Sequence, residues 1–397
     1  MMHRYILFLI IGVDATILLL QTNELSISYY EASLLYGNFS FLQAIVKSSL
    51  TIFGQNDFAL RLPMIVLHLL SVILMYEISK KYLDNTRDRL WLVVVFILLP
   101  GVISSALLVN SAGLVIFGLL LFVYIYNNIS KNFTYPLLII FSIIDGRFLY
   151  LFLSLIIFSK YTKDTSYLIL NGLLSIYLLY MYGFDVPGLP KGHFLDSMGV
   201  YSAIFTPIIF IYLVYTLYRR YLTKKIDLLW FISSVTFIIS LILSFRQRVS
   251  VEIFAPYLII ALPLAAKTFS SSYKVRLKMF RKGYKFTFIL SLLFLVLNSL
   301  FVIFNKELYL ILDKPQNHFV YNMHIAKELS EELKSKNITC VNTESKMSKR
   351  LKFYGIKKCD TYLLIENDVG TNNISNVTIS YKNKLIYSAN VTKINNK

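Results

Sequence analysis

Residues 62–82 of the chain, LPMIVLHLLSVILMYEISKKY, decide the fold class. An α-helix needs about 20 predominantly apolar residues to cross the hydrocarbon core of a bilayer, and this stretch meets that requirement. It ends close to Lys80 and Lys81, and such basic residues are enriched in the cytoplasmic loops of membrane proteins. We therefore predict a transmembrane helix whose C-terminal end lies at the cytoplasmic face.

The composition of the whole chain also indicates a membrane protein. Of its 397 residues, 56% are hydrophobic and only 16% are charged, whereas soluble domains carry about 25% charged residues. The net charge of +18 fits cytoplasmic loops and contacts with lipid headgroups, so we expect no nucleic-acid partner. Further apolar stretches predict spans near 4–22, 88–108, 111–127, 165–182, 201–218, 227–245, 251–269 and 286–304.

The charges between these spans predict the orientation. Basic clusters such as 219–225 and 274–285 are assigned to the cytoplasm, and the acidic segment 23–61 to the outer face. These assignments agree only if residues 134–158 form a hairpin of two short helices that turns at Asp145-Gly146-Arg147. The result is a polytopic α-helical membrane protein with about eleven transmembrane crossings, its N-terminus in the cytoplasm and its C-terminus on the outer, periplasmic face.

The sequence divides into two predicted domains. Residues 1–304 form a transmembrane domain whose first outer loop is 23–61, and residues 305–397 form a small soluble α/β domain on the outer face. Hydrophobic periodicity in the second domain predicts helices at Val320–Lys336 and Ser345–Tyr354, and strands at Asn337–Val341, Asp360–Ile365, Asn376–Tyr381 and Lys384–Val391. The last two strands are joined by a predicted turn at Lys382-Asn383.

Both cysteines of the chain, Cys340 and Cys359, fall in the C-terminal domain, on or beside these strands. In an oxidising compartment they could form a disulfide. Two unpaired, buried thiols are the other interpretation, and the spacing alone does not decide between the two.

Two motifs resemble a known family. The run Phe53-Gly54, followed by Ala59-Leu60-Arg61-Leu62-Pro63 and a long helix, is similar to the membrane-embedded glycosyltransferases of the GT-C class. The branch is that of the protein mannosyltransferases and the aminoarabinose transferase of lipid A. Arg246-Gln247-Arg248 and the proline-bearing stretch 254–263 resemble the late outer loop of that family. The resemblance covers most of residues 1–304.

The resemblance implies an enzyme of the inner (plasma) membrane. It would move a sugar from a polyprenyl-phosphate donor to a lipid, glycan or protein acceptor on the outer face. The family places its catalytic carboxylate in the first outer loop, where this chain has Tyr29-Tyr30-Glu31-Ala32. Glu31 would act as the general base, and a single base with in-line displacement would invert the anomeric centre. The alternative for Glu31 is a solvated carboxylate at the start of an outer helix.

The leaving lipid phosphate must be held by cations, because negative charge builds on it as the glycosidic bond breaks. Arg246 and Arg248 are the candidates, since an arginine fork binds phosphate oxygens bidentately; the alternative is contact with lipid headgroups. Arg147 could join them or pair with Asp145, and Glu252 could orient the arginines or balance their charge. The predicted substrate cavity is lined by Tyr30, Asn110, Asp145, His193 and Glu252.

Three further expectations concern the surroundings of this site. The turn-rich outer loop 185–193 is predicted to cover the cavity. Asp57 and Arg61 are spaced to form an i,i+4 ion pair at the start of the second span. The five histidines are scattered, and no acidic pair or glycine-rich phosphate loop is present, so we expect no cofactor and a metal-independent reaction.

The sequence also departs from the family pattern. Tyr30 stands where the family has an aspartate, Asn38-Phe39-Ser40 replaces a His-Pro-Pro element, and Val109-Asn110-Ser111 lacks the expected arginine. These departures keep a second function class open. The chain could instead be a non-catalytic membrane protein on the same fold, either a carrier or flippase for lipid-linked glycans or a scaffold.

Overall fold

The structure is a computed structural model that describes residues 2–183, 192–367 and 377–393. Most of the loop predicted to cover the cavity, residues 185–191, therefore lies outside the described residues. The helices are α1 (Met2–Thr22), α2 (Tyr29–Tyr36), α3 (Phe41–Phe53), α4 (Asp57–Tyr82), α5 (Thr86–Leu98), α6 (Pro100–Leu107), α7 (Ser111–Asn128), α8 (Thr134–Ile144), α9 (Leu149–Thr162), α10 (Thr165–Tyr182), α11 (Phe194–Phe205), α12 (Pro207–Leu222), α13 (Leu228–Ser244), α14 (Val251–Ile259), α15 (Leu262–Val275), α16 (Lys278–Ile303), α17 (Ala326–Ser335) and α18 (Ser345–Phe353).

The chain is a polytopic α-helical membrane protein. Within the described residues, five helices are long and apolar enough to cross a membrane, namely α1, α4, α7, α10 and α16. Three bent pairs also qualify when each pair is taken as one span: α5 with α6, α11 with α12, and α14 with α15. The count of eight is lower than the eleven crossings predicted, because α8, α9 and α13 are shorter than 18 residues.

Prolines mark the bends of these paired helices. Pro100 begins α6 after a bend of 61°, and Pro207 begins α12 after a bend of 105°. Proline lacks a backbone N–H and disfavours the helical conformation in the residue before it. Leu99, the residue before Pro100, is accordingly extended (φ −63°, ψ 125°), and Thr206, the residue before Pro207, is also non-helical, with φ 65° and ψ 146°. The breaks in these spans are thus determined by local sequence.

The predicted hairpin at 134–158 is confirmed as α8, a turn and α9. Asp145 ends α8 in an extended conformation, and its carboxylate accepts a hydrogen bond from the backbone N–H of Arg147 at 2.9 Å. A 3-10 turn at Gly146–Phe148 then leads into α9. A Cβ atom at Gly146 would lie 2.8 Å from the Tyr182 ring, so the turn requires glycine there. Which side of the membrane the turn faces stays a prediction.

Contacts group the chain into two compact units. The first unit comprises the residues up to Ala15, Met64–Ala106 and Asn110–Ser299. The second comprises Thr16–Pro63, Leu107–Val109 and the residues from Leu300 onward. The second unit thus combines the first outer loop with the C-terminal residues, whereas the sequence suggested a boundary at residue 304.

The second unit contains a three-stranded antiparallel sheet in the order β1–β3–β2. The strands are β1 (Tyr362–Asn367), β2 (Val377–Tyr381) and β3 (Lys384–Lys393). Lys382 and Asn383 both have positive φ, the signature of a two-residue type I′ hairpin turn, so the predicted turn is confirmed. Helix α17 packs on β2 and α18, and Leu329, Leu333, Leu351, Val377 and Ala389 are among the buried residues of this core.

Two predictions for the C-terminal residues are wrong in their boundaries or type. The helix expected at Val320–Lys336 begins only at Ala326, because the preceding chain folds around Tyr309, whose ring centroid lies 4.3 Å from that of His318 and 5.4 Å from that of His324. The strand expected at Asn337–Val341 is reduced to an isolated bridge between Cys340 and Lys357. The helix at 345–354 and the remaining three strands are confirmed to within a few residues.

Candidate functional site

Glu31, the predicted general base, lies in the first turn of α2. Ser28 is the N-cap of this helix, and its hydroxyl accepts a hydrogen bond from the backbone N–H of Glu31 at 3.2 Å. The Glu31 carboxylate in turn accepts from the backbone N–H of Ser28 at 2.8 Å. This reciprocal capping box satisfies two of the free N–H groups at a helix start. The sequence Ser28-Tyr29-Tyr30-Glu31 therefore determines where α2 begins.

Glu31 is buried, not solvated: only 1% of its surface is exposed. Its Oε1 accepts a hydrogen bond from the backbone N–H of Val109 at 3.0 Å. Its Oε2, besides the capping bond, lies 3.5 Å from Nη2 of Arg61. Both carboxylate oxygens are therefore occupied by donors, which compensates for the cost of burying a charge. The solvated alternative for Glu31 is excluded by this burial.

Arg61, in the first turns of α4, is the cation of this site and is fully buried. It donates hydrogen bonds to the backbone carbonyls of Leu25 at 2.8 Å, Ser26 at 3.0 Å and Thr22 at 3.3 Å. Its Nη1 also lies 3.6 Å from Asp57, so the predicted i,i+4 ion pair is confirmed. Arg61 thus holds the chain between α1 and α2 against the start of α4.

Asp57 connects this cluster to the C-terminal residues of the same unit. The hydroxyl of Tyr354 donates to the Asp57 carboxylate at 2.7 Å and accepts from the backbone N–H of Ile27 at 2.9 Å. Lys327 lies 3.4 Å from the other carboxylate oxygen. Burial, together with the neighbouring Asp57 charge, raises the pKa of Tyr354, which therefore stays a neutral donor. Sequence reasoning missed Tyr354 and Lys327, and no local pattern marks them.

Two of the predicted cavity residues, Tyr30 and Asn110, have different surroundings. Tyr30 is 80% exposed. Asn110 is the N-cap of α7 in the first unit, where its side-chain oxygen accepts from the backbone N–H of Ala112 at 2.9 Å. Asn110 therefore has a structural role whether or not it contacts a substrate.

In the first unit, the turn at 145–147 contacts α14, the helix that follows the predicted phosphate-binding residues Arg246 and Arg248. The Tyr257 hydroxyl, on α14, donates to the backbone carbonyl of Arg147 at 2.7 Å. Glu252 is exposed in the first turn of the same helix. Asp145 caps the backbone of Arg147, and among the described residues no carboxylate forms an ion pair with its guanidinium. Of the two alternatives left open for Arg147, the ion pair with Asp145 is not formed among the described residues.

Arg246 and Arg248 lie in the connection between α13 and α14, and both side chains are exposed. Neither forms an ion pair within the part of the chain that the structure describes. His193 is close to this connection, because its backbone N–H donates to the carbonyl of Ser244, the last residue of α13, at 2.8 Å. Its ring contacts Asp196 at 2.8 Å.

The predicted site residues therefore fall into two groups. Glu31 and Tyr30 belong to the second unit, while the three arginines, Asp145, His193 and Glu252 belong to the first. A cavity shared by both groups stays a prediction. Within the described residues, no group of three or more His, Cys, Asp or Glu side chains is placed to hold a metal ion.

The bundle of straight and bent spans with a small C-terminal sheet is a GT-C-like membrane fold. It is similar to the crystal structure of ArnT from Cupriavidus metallidurans in the apo state, with a TM-score of 0.52 over 88% of this chain and 84% of that chain. The two sequences are 10% identical, so the likeness concerns the fold. No family model and no curated protein sequence matches the chain. The family resemblance seen in the sequence is thus confirmed at the level of the fold.

Proposed function

We propose that the protein is a membrane glycosyltransferase that moves a sugar from a polyprenyl-phosphate donor to a lipid, glycan or protein acceptor on the outer face. The observation that carries this proposal is the similarity in fold to ArnT over most of both chains. A buried carboxylate shortly after the first span, in the position suggested by the family resemblance, supports it.

Glu31 is the proposed general base of this reaction. A base must come within hydrogen-bond reach of the acceptor proton, and catalytic contacts often form only in the substrate complex. One of the three donors to the Glu31 carboxylate would have to give way to the acceptor hydroxyl or amine. The two donors at Oε2 are Ser28 and Arg61, whereas Oε1 has the single donor Val109, so Oε1 is the oxygen with the smaller requirement for rearrangement.

The donor phosphate would be held by Arg246 and Arg248, with Arg147 as a third cation. Their guanidinium groups have no carboxylate partner among the described residues, so binding phosphate would not require an existing ion pair to break. Charge-assisted bonds from arginine to phosphate are among the strongest hydrogen bonds in proteins. They strengthen as the leaving phosphate gains charge, which is the requirement for lowering the barrier.

The test compares Glu31→Gln with Ser28→Ala. Both changes weaken the capping box of α2, but only the first removes the carboxylate. The readout is the surface glycan profile of cells by mass spectrometry, against a deletion strain and at equal amounts of folded protein. We expect Glu31→Gln to lower sugar transfer by roughly 10²-fold or more. Ser28→Ala should retain transfer and lose only about 1 kcal/mol of stability.

One observation favours a second candidate function, a non-catalytic carrier or scaffold on the same fold. Both Glu31 carboxylate oxygens already accept hydrogen bonds, and the side chain is only 1% exposed. This is expected for a carboxylate whose role is to hold the first outer loop, residues 23–61, in its conformation. The same experiment separates the two functions. A deletion that changes the glycan profile, combined with a folded Glu31→Gln protein that leaves it unchanged, would support the carrier or scaffold and reject the base.

A further inference from the structure

The first unit contains a large cavity between α5, α12, α15 and α16. Its volume is about 1170 Å³. Most of its wall is apolar and aromatic, with contributions from Trp91, Val95, Ile209, Phe269 and Leu292. Its lining residues include neither the proposed base, Glu31, nor the proposed phosphate-binding residues Arg147, Arg246 and Arg248. The cavity is therefore separate from the site considered above, and its occupant is an independent question.

The cavity has one cationic end. Three contacts hold four helix ends together there: Ser270 donates to Asp88 at 2.8 Å, Arg219 donates to Ser272 at 2.6 Å, and the Arg276 guanidinium lies 4.3 Å from the centroid of the Tyr284 ring. These contacts join the start of α5, the end of α12, the end of α15 and the start of α16. Four cations line this end of the cavity: Arg87, Arg219, Arg276 and Lys285.

This end carries an excess of positive charge. Asp88 is the one carboxylate among the lining residues that the structure describes, and it already accepts a hydrogen bond from Ser270. Across residues 2–183, 192–367 and 377–393, no carboxylate forms an ion pair with any of the four lining cations. The charge at this end is thus complementary to an anion that the protein itself does not supply.

The apolar depth of the cavity matches one leaflet of a bilayer. Ile209 precedes Arg219 by ten residues on α12, and Leu295 follows Lys285 by ten residues on α16. At about 1.5 Å per residue, each helix carries the apolar lining roughly 15 Å away from the cations. The hydrocarbon core of a bilayer is about 30 Å thick, so this distance equals the length available to acyl chains of a single leaflet.

We propose that this cavity binds one anionic glycerophospholipid, with its phosphate at Arg219, Arg276 and Lys285 and its acyl chains along α12 and α16. The positive charge selects an anionic headgroup, and the depth fits the chains of a lipid that stays in its leaflet. A polyprenyl chain, which is much longer than an acyl chain, exceeds this depth. The basic segment 274–285 assigns the bound lipid to the cytoplasmic leaflet.

The test is native mass spectrometry of the full chain in detergent, titrated with phosphatidylglycerol or with phosphatidylcholine of the same acyl chains. We expect one phosphatidylglycerol to bind in preference to phosphatidylcholine. The double variant Arg276→Gln and Lys285→Gln should weaken phosphatidylglycerol binding by roughly thirtyfold, because each cation near a lipid phosphate contributes about a fivefold gain in affinity. The matched control, Lys278→Gln and Lys282→Gln, removes the same charge from the same segment outside the cavity and should bind normally.

A second variant tests the apolar part without altering any charge. Ile209→Trp fills the acyl region and should abolish binding, whereas Ile238→Trp, at an exposed position on α13, should not. The proposal is overturned by equal binding of the two lipids, by equal losses in the charge variant and its control, or by normal binding to Ile209→Trp. Tight binding of glycerol phosphate alone would instead indicate a site for a soluble anion. Displacement of the lipid by stoichiometric polyprenyl phosphate would assign the cavity to that lipid.

Discussion

Arg61 holds the first outer loop, residues 23–61, in place, because one guanidinium bonds to three carbonyls and lies within 3.6 Å of two carboxylates. The carbonyls belong to Thr22, Leu25 and Ser26, and all of these bonds are within the second unit. Breaking a buried ion pair by removing one partner leaves the other charge uncompensated, which typically costs about 3–5 kcal/mol. The cost is high because the acceptors remain buried after the donor is lost.

Arg61→Met is therefore expected to unfold the second unit at markedly lower urea concentration, with a loss of about 3–5 kcal/mol in free energy of unfolding. The stability of Arg61→Lys should lie between that of Arg61→Met and that of the natural protein. A lysine ammonium keeps the positive charge but cannot reproduce the planar, forked hydrogen bonds of a guanidinium. The measurement is resistance to a brief protease pulse as a function of urea. Equal midpoints for Arg61→Met and the natural protein would show that the cluster contributes no stability.

The burial of His324 leads us to expect that the stability of the second unit depends on pH. Its ring is buried, its Nδ1 lies 3.0 Å from the Tyr309 hydroxyl, and burial, with smaller contributions from Lys306 and His318, lowers its pKa to about 3. In the unfolded chain the pKa returns to about 6.5, so between these values the unfolded state binds the extra proton. The stability that His324 contributes is complete above pH 6.5 and is lost as the pH falls toward 3.

At pH 5 the second unit should therefore be about 2 kcal/mol less stable than at pH 8, as judged by the same urea series. His324→Gln keeps a side chain that can bond to Tyr309 but does not titrate, and its stability should change less with pH. Burial also lowers the pKa of His318, so a smaller dependence of the same sign should remain in this variant. A pH profile that is the same in both proteins would rule out His324 as its source.

The contacts of the site explain how much of it the sequence could predict. Glu31, Asp57 and Arg61 could be identified because the family motifs and the i,i+4 spacing each depend on neighbouring residues. Val109 and Tyr354 contact the same cluster through bonds between residues 78 and 297 positions apart. Their backbone amide and phenol carry no sequence signature, so only the folded chain could reveal them.

At the scale of helices, Asp14 and His68 join the first two long spans inside the first unit. Asp14 lies in the middle of α1, His68 lies on α4, and Oδ2 and Nε2 are 2.7 Å apart. The His68 ring also stacks on Phe96 of α5, with centroids 6.1 Å apart. A polar side chain at membrane depth is costly unless it is paired, so this contact specifies how α1 packs.

A double-mutant cycle with Asp14→Ala and His68→Ala should therefore show coupling. Interhelical hydrogen bonds in membrane proteins couple by about 0.6 kcal/mol on average and by up to about 1.7 kcal/mol. We expect a value in the upper half of that range, because both side chains are largely buried. Thermal unfolding of the four proteins in one detergent gives the cycle, and Ile17→Ala, at an exposed position on α1, is the control. Additive effects would contradict the pairing.

Element boundaries were predictable where local chemistry sets them and not where distant contacts do. The hairpin that turns at 145–147 follows from charge parity and the polar triplet Asp145-Gly146-Arg147, and the turn at Lys382-Asn383 from its position between two strand patterns. The delayed start of α17 depends on Tyr309, which is 17 residues upstream. The reduced strand near Cys340 likewise depends on a partner, Lys357, that no pattern identifies.

At the scale of the whole chain, two features bear on its orientation. The ion pair of Asp57 with Lys327 and its hydrogen bond from Tyr354 require that the first outer loop and the C-terminal residues lie on the same side of the membrane. Cys340 and Cys359 form a disulfide with a Cα–Cα distance of 5.5 Å, which decides between the two interpretations left open by the sequence. Disulfides persist in oxidising compartments, so this bond supports the outer, periplasmic side for both segments.

The disulfide also makes the orientation directly measurable, because both cysteines of the chain are bonded and any introduced cysteine is a single reactive site. Tyr30→Cys and Arg248→Cys, at exposed positions of predicted outer segments, should react with a membrane-impermeant maleimide in intact spheroplasts. Lys282→Cys, in the basic segment before α16, should react only after the membrane is permeabilised. If position 30 is labelled and position 248 is protected, Arg248 lies on the opposite side of the membrane from Glu31 and cannot bind the donor phosphate at the same site. Such a result would reject the proposed active site while leaving the fold intact.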